Sequence, residues 1–325
     1  MVEEKENMLK TNGINMQITE AGKGPLVILL HGFPELGYSW RHQLMPLAEA
    51  GYRVVVPDQR GYGKTDCPAA IEAYNMLEIT ADIVGLVEAL EEKEAILVGH
   101  DFGSIAAQYC ALLRPDIFKA VVLLSVPYTP RRWEDLPPTR IMDKMSGDDV
   151  YYINYFQETG KVEIELELNV RDTILRMLYS SSGSVKQGKR SPLILSKSER
   201  FIDSGTLPET LPSWLTEQDL EIYTRMFTRS GFSGPVNWYR NLDRNWYLTA
   251  FLTGARIMQP SLFIEGELDP VRHVYRSAHK TMRSYMPNLK EIILLQGVGH
   301  WIQQEQPDAV NEAILKFLTS LKVSH

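Results

Sequence analysis

The apolar positions of this chain fall into short, nearly continuous runs separated by longer amphipathic stretches. Leu26 to Leu30, Tyr52 to Val56, Ala95 to Val98, Ala120 to Val126, Ser261 to Glu265 and Lys290 to Leu295 are runs of the first kind and predict strands buried on both faces. Gly13 to Glu20 predicts an edge hairpin strand ahead of them. Helical spacing occupies the intervals. Met76 to Glu91 puts Ile79, Ile83, Leu86, Val87 and Leu90 on one face, and Pro307 opens a last helix with Val310, Ile314, Phe317 and Leu318 turned inward. Strands alternating with helices predict an α/β fold with a mainly parallel sheet flanked by helices.

Between Pro127 and about Tyr247 this rhythm stops, giving way to helical, proline-punctuated and Ser/Gly/Lys-rich stretches such as Ser180 to Ser184 and Lys186 to Arg190. The chain therefore divides into a core of residues 1–127 and 248–325 and a helical insertion at 128–247. Within the insertion, Val162 to Val170 alternates like a strand, but its Glu and Leu content favours helix. Thr216-Glu217-Gln218-Asp219 has the form of a capping sequence for a helix running through Phe227. The loop around Lys186 to Pro212 is expected to border the entrance and to move.

Composition acts mainly by exclusion. The 325 residues, 44% hydrophobic and 23% charged, suffice for one large core carrying an insertion. A net charge of −7, with lysines and arginines scattered among acids, offers no stripe for nucleic acid. The N-terminal residues are polar where a signal peptide needs an apolar stretch, and no run approaches a membrane span, so a soluble, cytoplasmic protein without a membrane partner is expected. The two cysteines, Cys67 in a loop and Cys110 in a helix, indicate no disulfide framework. With neither clustered Cys/His spacing nor a glycine-rich phosphate loop, no metal and no cofactor are expected.

The chemistry is concentrated in Val98-Gly99-His100-Asp101-Phe102-Gly103-Ser104, where a strand feeds a helix through one tight turn. Glycines two residues before and after Asp101 allow the sharp bend and hold the middle side chain in the open, with aspartate where such an elbow usually carries serine. The plainer alternative is an aspartate that caps the helix beginning near Gly103. A carboxylate titrating near ~3.9 needs no base to act as a nucleophile at neutral pH. Its attack on an sp3 carbon gives an alkyl ester that water can open at the acyl carbonyl, whereas serine would give an ether with no such exit.

That scheme requires a water-activating histidine, and His300, in the loop after the Ile292 to Leu295 strand, meets the requirement. His42, His273, His279 and the terminal His325 suit surface roles, while His31 and His100 are expected at the pocket floor. An acid must hold the base's tautomer, and Asp269, following the Pro260 to Ile264 strand, is chosen over Glu265 and Glu267. For Asp269 the alternative is a simple turn before Pro270.

The order nucleophile, acid, histidine is that of the α/β-hydrolase fold. His31-Gly32-Phe33-Pro34-Glu35 and Asp58-Gln59-Arg60-Gly61-Tyr62-Gly63-Lys64-Thr65-Asp66, each after a strand, resemble the epoxide hydrolase branch of that family. So do Asn154 to Glu158 and Ser230 to Asn241, which resemble the cap of soluble epoxide hydrolases; the similarity runs from about residue 10 to about 320. The resemblance implies an eight-stranded sheet and a helical cap at 128–247, with a helix over Val162 to Val170. It further implies hydrolysis of an epoxide to a vicinal diol by Asp101, His300 and Asp269. Tyr152 and Tyr239 would donate to the epoxide oxygen, and the backbone N–H groups of Phe33 and Phe102 would form the oxyanion hole. Neutral phenols titrating near ~10 suit an alkoxide that develops on ring opening. His31, Pro34 and Trp301 are expected at the substrate pocket. One departure is Phe102, where soluble epoxide hydrolases commonly carry tryptophan. The expected partners are a small-molecule epoxide and water, with monomer and homodimer both open, and no added phosphatase activity is expected. The rival readings are a haloalkane or haloacid dehalogenase of the same fold, against which the tyrosine motifs count, and a non-catalytic ligand receptor.

Overall fold

Alternate residues of each buried strand serve two different cores. Leu26, Ile28, Leu30, Leu97, Val121, Leu123 and Phe263 face one layer, while Val27, Leu29, Val98, Val122, Leu124, Leu262 and Ile264 face the other. The computed structural model describes residues 2–185 and 193–322. Its main sheet contains β1 (Glu4–Thr11), β2 (Ile14–Ala21), β3 (Leu26–Leu30), β4 (Arg53–Pro57), β5 (Ala95–His100), β6 (Phe118–Leu124), β7 (Ser261–Gly266) and β8 (Leu289–Leu295). The spatial order is β1-β2-β4-β3-β5-β6-β7-β8, antiparallel across β1/β2 and β2/β4 and parallel elsewhere. This is the eight-stranded, mostly parallel α/β-hydrolase sheet.

The edge differs from the sequence expectation. Gly13 to Glu20 forms the second strand, and the edge itself is the charged Glu4–Thr11 segment, most of whose side chains are exposed. Its pairing with β2 holds it there although its own pattern carries no buried face. The predicted strand over Ala120 to Val126 also shifts to Phe118–Leu124, ending before Ser125, whose φ is +65°.

Helices Met76–Ala89 and Pro307–Lys322 form as expected, the first capped by Asn75, whose side chain accepts from the N–H groups of Leu77 and Glu78. Residues between β6 and β7 include the helices Pro138–Ser146, Tyr152–Tyr155, Lys161–Glu167, Val170–Ser180, Glu217–Ser230, Ser233–Arg240 and Leu242–Leu248. The alternating Val162 to Val170 stretch is thus helical and not extended, but the one helix expected there is broken at Leu168 and Asn169, where Asn169 (φ −149°) accepts from the Asp172 N–H and starts the second helix. Thr216 and Asp219 form the expected reciprocal capping box, and that helix runs on to Ser230, ending at Gly231 with φ +68°. Of the loop expected around Lys186 to Pro212, residues 186–192 lie outside the described residues, as does His325. No helix among the described residues is long and apolar enough to cross a membrane.

Two contacts fasten the inserted helices to the sheet where the site lies. The His300 N–H donates to the Ser181 carbonyl at 2.8 Å, and the Trp301 indole N–H donates to the Leu178 carbonyl at 2.6 Å. Glu305 accepts from the backbone N–H groups of Gly183, Gly299 and Trp301, joining the same two segments of chain.

Candidate active site

Asp101 stands between β5 and helix Phe102–Leu113 with φ +52° and ψ −119°, a conformation costing a non-glycine residue about 1–3 kcal/mol. The packing around the turn enforces it. A Cβ on Gly99 would fall 2.1 Å from the Gly103 carbonyl oxygen, and one on Gly103 would fall 2.0 Å from that of Leu30. Both glycines are therefore required by close backbone approach. Although Asp101 occupies the N-cap position, its side chain makes no capping hydrogen bond, which removes the plainer reading of the motif. The carboxylate instead turns toward a cavity.

Its two oxygens have different neighbours. Oδ1 accepts from the Phe33 N–H at 3.0 Å, whereas Oδ2 lies 3.5 Å from His300 Nε2. Of the two expected oxyanion donors, only the Phe33 N–H makes a hydrogen bond to this carboxylate. Gly32 makes the approach possible, since a Cβ there would lie 2.4 Å from Cβ of Asp101. The Phe102 ring packs edge-on against Tyr239 and Trp238, at centroid distances of 4.7 and 5.5 Å.

On its other side, His300 Nδ1 meets Asp269 Oδ2 at 2.9 Å, with Asp269 fully buried. Asp269 does two jobs: Oδ1 accepts from the Val271 N–H at 2.8 Å and opens the short turn Pro270–His273, while Oδ2 faces the imidazole. The neighbouring candidates are engaged elsewhere. Glu265 bonds Arg272 and His279, and Glu267 accepts from the Gly297 N–H.

Burial alone would push the His300 pKa down, but the charges and hydrogen bonds of Asp269 and Asp101 outweigh it and raise the value well above the ordinary 6.5. Burial would likewise raise Asp101, yet the His300 bond and charge, the His100 charge and the Phe33 N–H leave its carboxyl below the usual range. Both shifts act in the same sense, favouring a carboxylate that faces an imidazolium.

Tyr152 and Tyr239 form part of the wall of this cavity, with ring centroids 5.9 Å apart. Burial first, and then the neighbouring tyrosines and Asp101, raise both phenols well above 10, so they remain protonated donors at neutral pH. The alternatives to Tyr152 are otherwise occupied: the Tyr155 hydroxyl donates to Glu165, and Tyr151 is buried away from the cavity.

Pro34 and Trp301 line the cavity as expected, but His31 does not. Its Nδ1 meets the Gly32 carbonyl, its Nε2 accepts from the Gln59 N–H at 3.0 Å, and it is wholly buried beneath the loop. The motif holds the histidine as a loop brace, which corrects its placement at the pocket. His100 is also displaced from the pocket floor. It lies behind His300 with its Nε2 2.8 Å from the His300 carbonyl and its Nδ1 2.6 Å from Glu35, itself bonded by Gln303 and Gln304.

Space open to the centre of a water molecule in the cavity amounts to about 90 Å3. Sequence reading missed much of the wall, notably Arg176, Met177, Leu193, Phe201, Ile202 and Val271. These come from separate stretches of chain and share no motif.

Comparison with known proteins agrees with this architecture. The alpha/beta hydrolase fold family matches residues 25–307. Epoxide hydrolase A of Mycobacterium tuberculosis is 43% identical over 98% of each chain, and epoxide hydrolase 1 of Siraitia grosvenorii is 40% identical over 97% of this chain and 98% of its own. Among solved structures, an epoxide hydrolase from an endophytic Streptomyces is 43% identical with a TM-score of 0.95, covering 99% of this chain and 97% of its own. Epoxide hydrolase A from Mycobacterium thermoresistibile is 42% identical with a TM-score of 0.92, covering 98% of each chain. With the elbow, the sheet order and near full-length similarity in agreement, the chain belongs to the epoxide hydrolases of the α/β hydrolase fold family.

Proposed function

We propose that this enzyme opens a small-molecule epoxide to a vicinal diol through an ester on Asp101. The observation that carries the reading is the division of labour at that carboxylate. Oδ1 is anchored by a backbone N–H, while Oδ2 faces His300 Nε2 at 3.5 Å beside a cavity walled by two protonated phenols.

Oδ2 attacks one epoxide carbon as that carbon's bond to oxygen breaks. The developing alkoxide takes a proton from Tyr152 or Tyr239, a contribution of roughly 10²–10⁴ in rate. The phenol recovers its proton from the His300 imidazolium. Alkylation removes the Asp101 charge that helps hold that proton, so His300 becomes a base when the second step needs one. Water then attacks the ester carbonyl, giving its proton to His300 Nε2, while the Phe33 N–H stabilises the oxyanion forming at Oδ1. Collapse releases the diol and restores carboxylate and imidazolium. Asp269 keeps Nδ1 protonated and Nε2 pointed at the reaction throughout.

In this reading the 128–247 insertion is a cap over the core, fastened by the Ser181 and Leu178 carbonyls, and it supplies both tyrosines. A cytoplasmic setting suits the unpaired thiols of Cys67 and Cys110.

The test is the intact mass of a His300→Gln variant exposed to aryl and aliphatic epoxides, with haloalkanes and halocarboxylates in parallel. The expected result is a gain equal to the whole epoxide on the peptide containing Asp101. A gain equal to a substrate stripped of halide moves the enzyme to dehalogenation. No adduct, with an inactive wild type, removes the covalent reading for the compounds tried.

A further inference from the structure

The two phenols stand on different helices, Tyr152 on Tyr152–Tyr155 and Tyr239 on Ser233–Arg240, so their separation depends on what joins those helices. Arg240, the residue after Tyr239, does the joining. Its Nε donates to the Phe156 carbonyl at 3.0 Å and its Nη2 to the Glu158 carbonyl at 2.9 Å, both in the turn that follows the Tyr152 helix. Nη1 and Nη2 grip the two Glu163 oxygens at 2.5 and 3.0 Å, and Nη1 also donates to Asn237 Oδ1 at 3.0 Å, one turn back along its own helix. All five guanidinium hydrogens are thereby used. The Arg240 and Glu163 side chains are only 4% and 8% exposed, and neither residue belongs to the cavity wall.

Two neighbours tighten the same joint. Gln157 Nε2 donates to the Ile153 carbonyl at 2.9 Å and to the Tyr239 carbonyl at 3.2 Å. The Phe156 ring packs against both phenols, its centroid 5.5 Å from that of Tyr152 and 5.0 Å from that of Tyr239. A buried ion pair adds little net stability, because desolvating both charges costs about what their attraction returns. What it does supply is orientation: a planar fork that spends every hydrogen admits one arrangement of its partners. Two phenols can donate to one epoxide oxygen only when both hydroxyls converge within about 3 Å of a single point.

We infer that Arg240, locked on Glu163, is a positioning residue for ring opening, fixing Tyr239 against Tyr152 so that both phenols reach the same epoxide oxygen. This rests on the epoxide hydrolase reading and adds to it a residue that touches neither the substrate nor the reacting atoms. Lysine cannot substitute, since one ammonium nitrogen cannot span the Phe156 and Glu158 carbonyls and both Glu163 oxygens.

Kinetics and binding test it together. In single-turnover assays of the full chain, Arg240→Lys is expected to slow ester formation on Asp101 by about ten- to a hundredfold, the scale of an ångström of misplacement, with ester hydrolysis by His300 and Asp269 changed less than about twofold. A general loosening of the fold would slow both steps. In a Tyr239→Phe background, Arg240→Lys is expected to add less than about twofold, because the phenol it places is already gone. Benzamide, whose carbonyl oxygen accepts from two donors as an epoxide oxygen would, gives the same comparison without turnover: in calorimetric titrations Arg240→Lys weakens its binding only when Tyr239 is present. Equal slowing of the two steps, or a full Arg240→Lys effect retained beside Tyr239→Phe, overturns the assignment. Should Arg240→Lys not fold, Glu163→Gln, which turns an amide NH2 toward the guanidinium, takes its place in the same cycle. A wild type that opens no epoxide yet shows the benzamide coupling sinks the epoxide reading and leaves the positioning role standing, whereas epoxide opening without the coupling does the reverse.

Discussion

Replacing Asp269 by Asn separates the two chemical steps. The Asp269 Oδ1 accepts from the Val271 N–H at 2.8 Å, and the amide oxygen of an asparagine would keep that bond. Its NH2 would then face His300 Nδ1, where the carboxylate Oδ2 now sits at 2.9 Å. Two donors cannot face one another, so Nδ1 must accept and the ring hydrogen moves to Nε2. The histidine then presents a donor to the water it should deprotonate. The variant also loses the buried charge that stabilises the imidazolium, worth about 4 kcal/mol for unit charges 4 Å apart at an effective dielectric of ~20. That energy corresponds to roughly three decades in rate.

Ester formation needs no base and should survive. Asp269→Asn is therefore expected to slow ester hydrolysis about a thousandfold while alkylation slows far less, giving one fast turnover followed by stalled enzyme. Rapid-quench intact mass spectrometry reads the ester directly, and product assays give the burst. A variant whose kcat falls with no ester accumulating, or whose two steps slow equally, refutes the assigned role.

Tyr152→Phe and Tyr239→Phe should each slow ring opening by about 10²–10⁴ in single-turnover assays while leaving hydrolysis of preformed ester nearly unchanged; slowing confined to the second step would count against donation by these phenols. Gly103→Ala places a Cβ 2.0 Å from a backbone oxygen that cannot swing away, so it should cost about 3 kcal/mol or more in urea unfolding, or prevent soluble expression. A variant within about 1 kcal/mol of wild type would show that the turn has room to relax. The Asp101–His300 pair has a signed pH signature. Because the folded His300 pKa is raised, its contribution is complete below the unfolded value near ~6.5 and fades as pH rises through the folded value. Because the folded Asp101 pKa is lowered, its share is complete above ~3.9 and fades as pH falls. The stability advantage of wild type over Asp101→Asn in urea titrations should thus shrink as pH rises above neutrality, and an advantage that grows contradicts the pair.

Features with local causes were readable from the order of residues alone. Continuous apolar runs specify β3 to β7 because strands buried on both faces admit few other residues, whereas β8, expected to be buried, lies at the sheet edge with most of its side chains exposed or half-buried; a tight strand-to-helix turn leaves room only for glycine at 99 and 103. Thr216 and Asp219 marked a helix start because capping is settled within one turn of chain. Asp101, Asp269 and His300 were legible because each follows a strand end in a recognisable order.

Tertiary structure decided whatever depends on partners distant in sequence. Glu4–Thr11 carries no strand pattern of its own and is a strand only because β2 pairs with it. The choice of Asp269 over Glu265 was made by Arg272 and His279, which take up Glu265. His31 left the pocket because Gln59 claims its ring nitrogen. Arg176 enters the cavity only through the fold, since helix Val170–Ser180 seats its C-terminal carbonyls on the His300 loop more than a hundred residues along the chain. Local interactions act within a turn or a strand and leave a pattern in the residues. A cavity wall is assembled from separate segments whose side chains must only be close in space, and proximity of that kind leaves no spacing to read.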